Sequence, residues 1–273
     1  MTVRRMALDD LALVLDWAGA EGWNPGIDDA AAFFAADPRG FFLKTVDGRP
    51  AAAISVVNHD ARNAFLGLFI CHPDFRGRGH GLEVWKAGLA HAGARCVGLD
   101  GVPDQQANYR KSGFVHFGRT LRYRGFLEPG AGADPEPART ADLIDRDARA
   151  TGVRRPAFAS AWFSGTCTRR TVCLRTDGAP PAFATFRQCR EGVKVGPFHA
   201  DTAAQADALL SSVPADFGTG PVFIDVPDSS TGLADLVQGR GFVPVFETAR
   251  MYSASPPDAR PPAFNAVASL ELG

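Results

Sequence analysis

Leu68-Phe69-Ile70-Cys71-His72-Pro73-Asp74-Phe75-Arg76-Gly77-Arg78-Gly79-His80-Gly81-Leu82-Glu83-Val84-Trp85 is the stretch whose reading decides the fold. An apolar run meets a turn seeded by Pro73 and Asp74, glycines then alternate with Arg78 and His80, and Leu82, Trp85 and Leu89 recur at helical spacing. The expected order is strand, anion-binding loop, helix. Glycine at 77, 79 and 81 removes the Cβ atoms that would hold a ligand's oxygens off the backbone, and permits the positive φ values that turn N–H groups inward. Those donors sit at a helix start, where they lack partners and the helix dipole adds positive charge, so a phosphate is the natural guest.

Spacing narrows the ligand. Gly-Lys-Ser/Thr, required by a Walker loop, occurs nowhere, and Leu82 and Val84 stand where a dinucleotide fingerprint needs glycine. Arg76-x-x-Gly79-x-Gly81 instead resembles the acyl-CoA signature of the GNAT N-acetyltransferase superfamily, Gln/Arg-x-x-Gly-x-Gly/Ala, whose loop holds the CoA pyrophosphate. An arginine-glycine turn without a ligand is the alternative, and the rest of the chain has to decide between them.

The 273 residues suit two domains, each large enough to bury a core. With 29 basic and 30 acidic residues the net charge is −1, and no overall field favours nucleic acid or an anionic membrane. Five cysteines, odd in number and without a Cys-x-x-Cys, are expected to be reduced thiols. The six histidines show no metal-ligand spacing, so no metal is expected. No apolar signal core or long apolar run is present, and the expected setting is the cytoplasm, as a monomer or homodimer.

In chain order, Thr2 to Met6 reads as a strand, Asp9-Asp10 and Asp28-Asp29 as helix starts, and Phe41 to Val57 as a hairpin turning at Asp47-Gly48. A strand at 65–71 delivers the glycine loop; a helix over Leu82 to Ala92, a strand at 96–100, a short helix over Gln105 to Lys111 and a last strand to Arg124 follow. This order resembles the GNAT fold over residues 1–127, in which the fourth and fifth strands splay and CoA lies in the gap. Residues 128–139, dense in Pro and Gly, read as a linker.

Beyond the linker the pattern returns. Gly113-Phe114-Val115, Thr120 and Arg122 are answered 128 positions later by Gly241-Phe242-Val243, Thr248 and Arg250, while Asp47-Gly48 returns as Asp177-Gly178. A second copy is expected over 140–255, giving an α/β (α+β) fold of two tandem GNAT-like domains, each a mixed, mostly antiparallel sheet flanked by helices. That copy has Thr202-Ala203-Ala204-Gln205-Ala206 in place of the glycine loop, and Val237 where the first has Tyr109. It resembles tandem proteins whose degenerate C-terminal half helps shape the acceptor cleft. Residues 256–273 read as a loose tail.

The resemblance implies an acetyl-CoA-dependent N-acetyltransferase acting on a primary amine of a small molecule or peptide by direct attack on the thioester. The competing class is a non-catalytic CoA-binding sensor or scaffold. A lysine-like amine of pKa ~10.4 is neutral in only about four molecules per ten thousand at pH 7, so a base is useful, as is an acid for the departing thiolate. Tyr109, in Tyr109-Arg110-Lys111-Ser112-Gly113-Phe114, resembles the family's Tyr-x-Lys-x-Gly-Phe and is the candidate acid; a tyrosine packed under the sheet is the alternative. Asp100, ending the fifth strand, is the candidate base or else a carboxylate stabilising the turn at Gly101. The resemblance assigns CoA to the backbone of Phe69, Ile70 and Cys71, to Arg76, Gly77, Arg78, Gly79, His80, Gly81 and Leu82, and to Asn108, and places Trp23 and Asn24 at the acceptor.

Overall fold

The computed structural model describes residues 2–127, 138–174, 180–214, 217–218 and 220–273. Most of the expected linker and the Asp177-Gly178 turn lie outside them. The first half runs β1 (Thr2–Arg5), α1 (Leu8–Ala20), α2 (Asp29–Ala36), β2 (Phe41–Val46), β3 (Arg49–Asn58), β4 (Asn63–Cys71), α3 (His80–Ala92), β5 (Cys96–Gly101), α4 (Gln106–Lys111) and β6 (Val115–Gly125). β2 and β3 join through Asp47 and Gly48, both at positive φ, the turn that the twist of a tight hairpin favours. α1 turns Leu11, Val14, Leu15 and Ala18 inward, the apolar face that its sequence period requires.

The second half repeats the order as α5 (Thr140–Thr151), α6 (Pro156–Phe163), β7 (Arg169–Leu174), β8 (Ala182–Gln188), β9 (Val193–Ala200), α7 (Ala203–Leu210), β10 (Val222–Pro227), α8 (Thr231–Gly239) and β11 (Val243–Tyr252), with β12 (Phe264–Ala266) after it. One mixed, mostly antiparallel sheet runs through both halves in the order β1-β2-β3-β4-β5-β11-β6-β10-β9-β8-β7, with β12 against β9. The parallel pairs, β4 with β5 and β9 with β10, take equivalent places in the two copies.

At the centre the copies exchange their last strands. β6 pairs with β10 of the second half, and β11 pairs with β5 of the first. The two exchanged strands pair with each other along most of their length. Each copy therefore lacks a closed sheet of its own, a relation that the 128-residue repeat alone does not express.

Two ion pairs mark the exchange. Arg250 on β11 donates from Nε and Nη2 to Asp100 on β5 at 2.8 and 2.7 Å, and Arg122 on β6 donates in the same way to Asp225 on β10 at 2.7 and 2.9 Å. Register places the partners directly opposite one another, Arg250 across from Asp100 and Arg122 across from Asp225. A fork of two N–H groups onto one carboxylate is the strongest geometry these residues offer.

One core crosses the halves. α1, α2 and the inner faces of β2 to β4 pack on Phe158, Trp162 and Phe163 of α6, and Phe33 stacks on Trp162 with ring centroids 5.9 Å apart. α3 and α4 cover the outer face of the first half; α7 and α8 cover that of the second. The buried stripe of α3 is His80, Val84, Gly88 and Ala92, whereas Leu82 is exposed and Trp85 and Leu89 flank the stripe. The recurrence of Leu82, Trp85 and Leu89 thus marks an edge of the buried face, because Gly88 and Ala92 let the helix sit close on β3.

The final segment corrects an expectation. Residues 256–273 are no loose tail: Ala268, Ser269, Glu271 and Leu272 are buried between the halves. The carbonyl of Glu271 comes so close to Gly67 that a Cβ there would lie 2.0 Å from it. A glycine in the middle of a strand is what permits this approach.

Candidate active site

β4 and β5 pair only from Asn63 to Leu66 and from Cys96 to Leu99. Beyond that point β4 continues to Cys71 against β3 alone, through a bulge where Leu68 takes φ +46°. The strands part there, and the side of β4 facing β5 is left without a strand partner over Gly67 to Cys71. The backbone of Phe69, Ile70 and Cys71 lies along that open edge, available to an extended ligand arm. The Cys71 thiol, pushed up by burial, donates to the Ala51 carbonyl at 3.4 Å, the behaviour of a packed side chain and not of a nucleophile.

The glycine loop leaves this edge through a single turn of 3-10 helix over Pro73–Phe75. Gly77 and Gly79 take φ +73° and +82°, and Gly79 caps α3. A Cβ on either would meet nothing within 4 Å, so their absence leaves an open cradle beside the helix start. Gly81 differs: it lies inside the helix, and a Cβ there would stand 3.3 Å from the Phe69 ring, so packing and not backbone freedom explains it. Arg78 is exposed with no ion-pair partner among the described residues. Arg76 is already engaged, by the Glu21 carboxylate and, through Nε at 3.0 Å, by the Cys71 carbonyl. His80 is buried with its Nδ1 3.8 Å from Glu83 Oε1 and no hydrogen bond, and Leu82 projects from the first turn into the open.

Among the described residues the second half has no such cradle. Thr202 Oγ accepts from the Gln205 amide at 3.2 Å and the Gln205 side chain accepts from the Thr202 amide at 3.3 Å, a closed capping box that consumes the free donors at the start of α7.

Where β4 and β5 part, a cavity of about 70 Å³ opens. Its walls come from both halves and from the final segment: Trp23, Gly67, Leu68, Asp100, Gln105 and Tyr109 meet Phe246, Thr248, Leu270 and Glu271. Tyr109 stacks on Trp85 at a centroid distance of 5.8 Å, and a Cβ on Gly101 would lie 2.9 Å from its ring. Burial alone pushes its phenol up to about 12, with no hydrogen bond to its hydroxyl among the described residues. At neutral pH it is a protonated donor with a free O–H. Asn108, one position before, is exposed and donates to Gln105 Oε1 at 3.0 Å.

The remaining candidates separate. Trp23 lines the cavity, and its carbonyl accepts from Arg122 on the exchanged strand β6 at 2.8 Å and from Lys194 on β9 at 3.0 Å, which anchors its backbone there. Asn24 does not line it. Its amide donates to and accepts from the Glu191 backbone at 2.8 and 3.2 Å, and it takes φ +51° to do so, which makes it a clasp between the halves and not an acceptor contact. Asp100 reaches the cavity wall but has both oxygens on Arg250, against which burial pushes its carboxyl above its ordinary value. Its counterpart Asp225 makes the same two contacts where no glycine loop exists. The geometry is that of a staple for the exchanged strands.

Thr248, Phe246 and Glu271 escape sequence reasoning because they arrive from the exchanged strand and the final segment. Two signals bear on them: Gly67 inside an apolar strand, and an acid within Val267-Ala268-Ser269-Leu270-Glu271-Leu272. A second, larger cavity of about 410 Å³ lies beyond the Asp100–Arg250 pair and is walled by His59, Phe65, Arg155, His199 and Tyr252 among others. Among the described residues no helix is long and apolar enough to cross a membrane.

Comparison with known proteins bears on the family and the fold. The Acetyltransferase (GNAT) family model matches residues 9–114, and an Acetyltransferase (GNAT) domain model matches residues 143–263. Holothin acyltransferase of Pseudoalteromonas sp. (strain SANK 73390) is 35% identical over 278 residues, covering 100% of this chain and 94% of that protein. In fold, a candidate acetyltransferase from Pyrococcus horikoshii superposes with TM-score 0.78 at 19% identity, covering 100% of this chain and 95% of its own. A tandem GNAT protein from the clavulanic acid biosynthesis pathway does so with TM-score 0.63 at 13% identity, covering 92% and 97%. With one fold in two copies and a single open glycine cradle, the chain belongs to the GNAT superfamily of acyltransferases, as a tandem member.

Proposed function

We propose that the protein transfers an acetyl group from acetyl-CoA to a primary amine of a small molecule, with holothin, named for the acyltransferase relative, as the first acceptor to try. The observation that carries the reading is continuity. The glycine loop with its cradle at Gly77 and Gly79 follows directly on the unpaired edge of β4, and that edge borders a cavity lined by Tyr109. A CoA diphosphate would sit on the amides of the loop with Arg78 adding charge, and the pantetheine arm would extend along Phe69 to Cys71 with Asn108 beside it.

The chemistry follows from placement. An acceptor amine attacks the thioester carbon, and the departing thiolate takes its proton from Tyr109, whose burial keeps that proton in place until then. Holding two reactants in one small cavity supplies much of the acceleration. Trp23, Phe246 and Leu270 give the acceptor an apolar surround.

The test is release of free thiol from acetyl-CoA in the presence of holothin and a panel of small primary amines. Release that depends on an amine is the expected result. Acetyl-CoA binding without thiol release for any amine would replace this reading with a CoA-binding sensor or scaffold.

A further inference from the structure

The acidic groups in and around the small cavity are unequal. Asp100 is held by Arg250, Asp225 by Arg122, and Asp29 by Arg187. Each buried carboxylate there has a guanidinium in contact, as burial of charge demands. Glu271 is the exception: it is 4% exposed, and no cation stands in ion-pair contact with it among the described residues. Its Oε2 accepts from Ser269 Oγ at 2.5 Å, and Oε1 has no protein partner among those residues. Ser269 Oγ in turn accepts from the Glu271 amide at 3.1 Å, which fixes the residue's position.

The positive charge left over is at a distance. Lys194 is buried with its ammonium donating to the Trp23 carbonyl at 3.0 Å, and Arg122 is held by Asp225, so Glu271 acts on both cations only through space. Across the same cavity Thr248, 2% exposed, has an Oγ1 with no hydrogen-bond partner among the described residues. A buried carboxylate without a cation and a buried hydroxyl without a partner thus face one space, whose other walls are largely apolar. Left unmet, such groups cost free energy. A ligand with several N–H donors meets both.

Resting on the N-acyl transfer reading, we infer that Glu271 and Thr248 form the seat for the acceptor's amine, and that Glu271 takes its proton. A compact amine on an apolar body is the chemistry that fits. The amine nitrogen forms its bond to the thioester carbon while the carbon–sulfur bond breaks. One proton passes from nitrogen to Glu271 and one from Tyr109 to sulfur, and solvent returns the first to the tyrosine, so the sum is amide plus free thiol. The base then comes from the final segment of the chain, docked against β4 by Gly67, and not from β5.

Glu271→Gln is the test because it keeps the shape and the contact with Ser269. With acetyl-CoA and holothin, or the best amine of the panel, kcat/KM for the acceptor should fall about 10²-fold or more, with the KM for acetyl-CoA and the Tm unchanged. Wild-type kcat/KM for the acceptor would overturn the inference while leaving N-acyl transfer intact. Should Glu271→Gln fail to fold, the isosteric Thr248→Val decides: a rise of about five- to tenfold in the acceptor KM supports the seat, and an unchanged KM overturns it. A wild-type protein that releases no thiol with any amine refutes the transfer reading itself, and the inference with it.

Discussion

Asp100→Asn separates the two readings of this carboxylate, base or staple. The Asp100 side chain is sealed from solvent, while Arg250 keeps 18% of its side chain open toward the larger cavity. Removing one partner of a buried pair strands the other charge, at a cost of about 3–5 kcal/mol when burial is complete, and the opening at Arg250 lowers the expected loss to about 2–4 kcal/mol. For a chain of this size that is a fall in Tm of about 5–12 °C. Replacing both members, Asp100→Leu with Arg250→Met, removes the stranded charge and should return stability to within about 1 kcal/mol of the parent. The assay pairs thermal unfolding with thiol release measured well below every Tm. If Asp100 joins strands, the folded Asp100→Asn variant keeps turnover within about tenfold of wild type. A variant with unchanged Tm and a 10²-fold or greater loss of turnover would refute the argument and make Asp100 the base.

Other outcomes follow from the same geometry. Tyr109→Phe, which keeps the stack on Trp85, should lower turnover by about 10²-fold with acetyl-CoA binding little changed, as single-turnover kinetics beside calorimetry will show. Gly79→Val puts a branched side chain at φ +82° and should abolish CoA binding, whereas Thr202→Ala on the closed cap of α7 should leave affinity alone; equal effects would unseat the loop. Burial, aided by Arg155, pushes His59 from its ordinary 6.5 down to about 4. The unfolded chain therefore takes that proton first, so the stabilisation is complete above about pH 6.5 and is lost as pH falls toward 4, at a cost of about 2–3 kcal/mol. Urea midpoints across that range should drop, and His59→Gln should flatten the drop.

The glycine loop, the Asp47-Gly48 hairpin and the two copies are legible in the sequence, because each rests on a short run of residues and its own backbone. The capped start of α7 at Thr202 and Gln205 was legible for the same reason. The exchange of β6 and β11 was not. Strand partners are chosen by pairing across the centre of the sheet, and the repeat Gly113-Phe114-Val115 with Gly241-Phe242-Val243 reads the same whichever sheet each strand joins. Asp100 illustrates the consequence: on β5 alone its carboxylate reads as a base or as a brace for the turn at Gly101, and only β11 brings Arg250 opposite it. Asn24 looked like an acceptor contact and instead clasps Glu191, 167 residues on. The final segment carries few helical or strand signals because it earns its place by burial against Gly67 and the shared core, a contact that periodicity does not encode.

The most direct measurement is a crystal structure with CoA bound. The account predicts the diphosphate against the backbone amides of the loop at Gly77 and Gly79, at hydrogen-bond distances of about 3 Å, with the sulfur at the Tyr109 hydroxyl. Density for the diphosphate at Thr202, or a sulfur placed away from Tyr109, would contradict it.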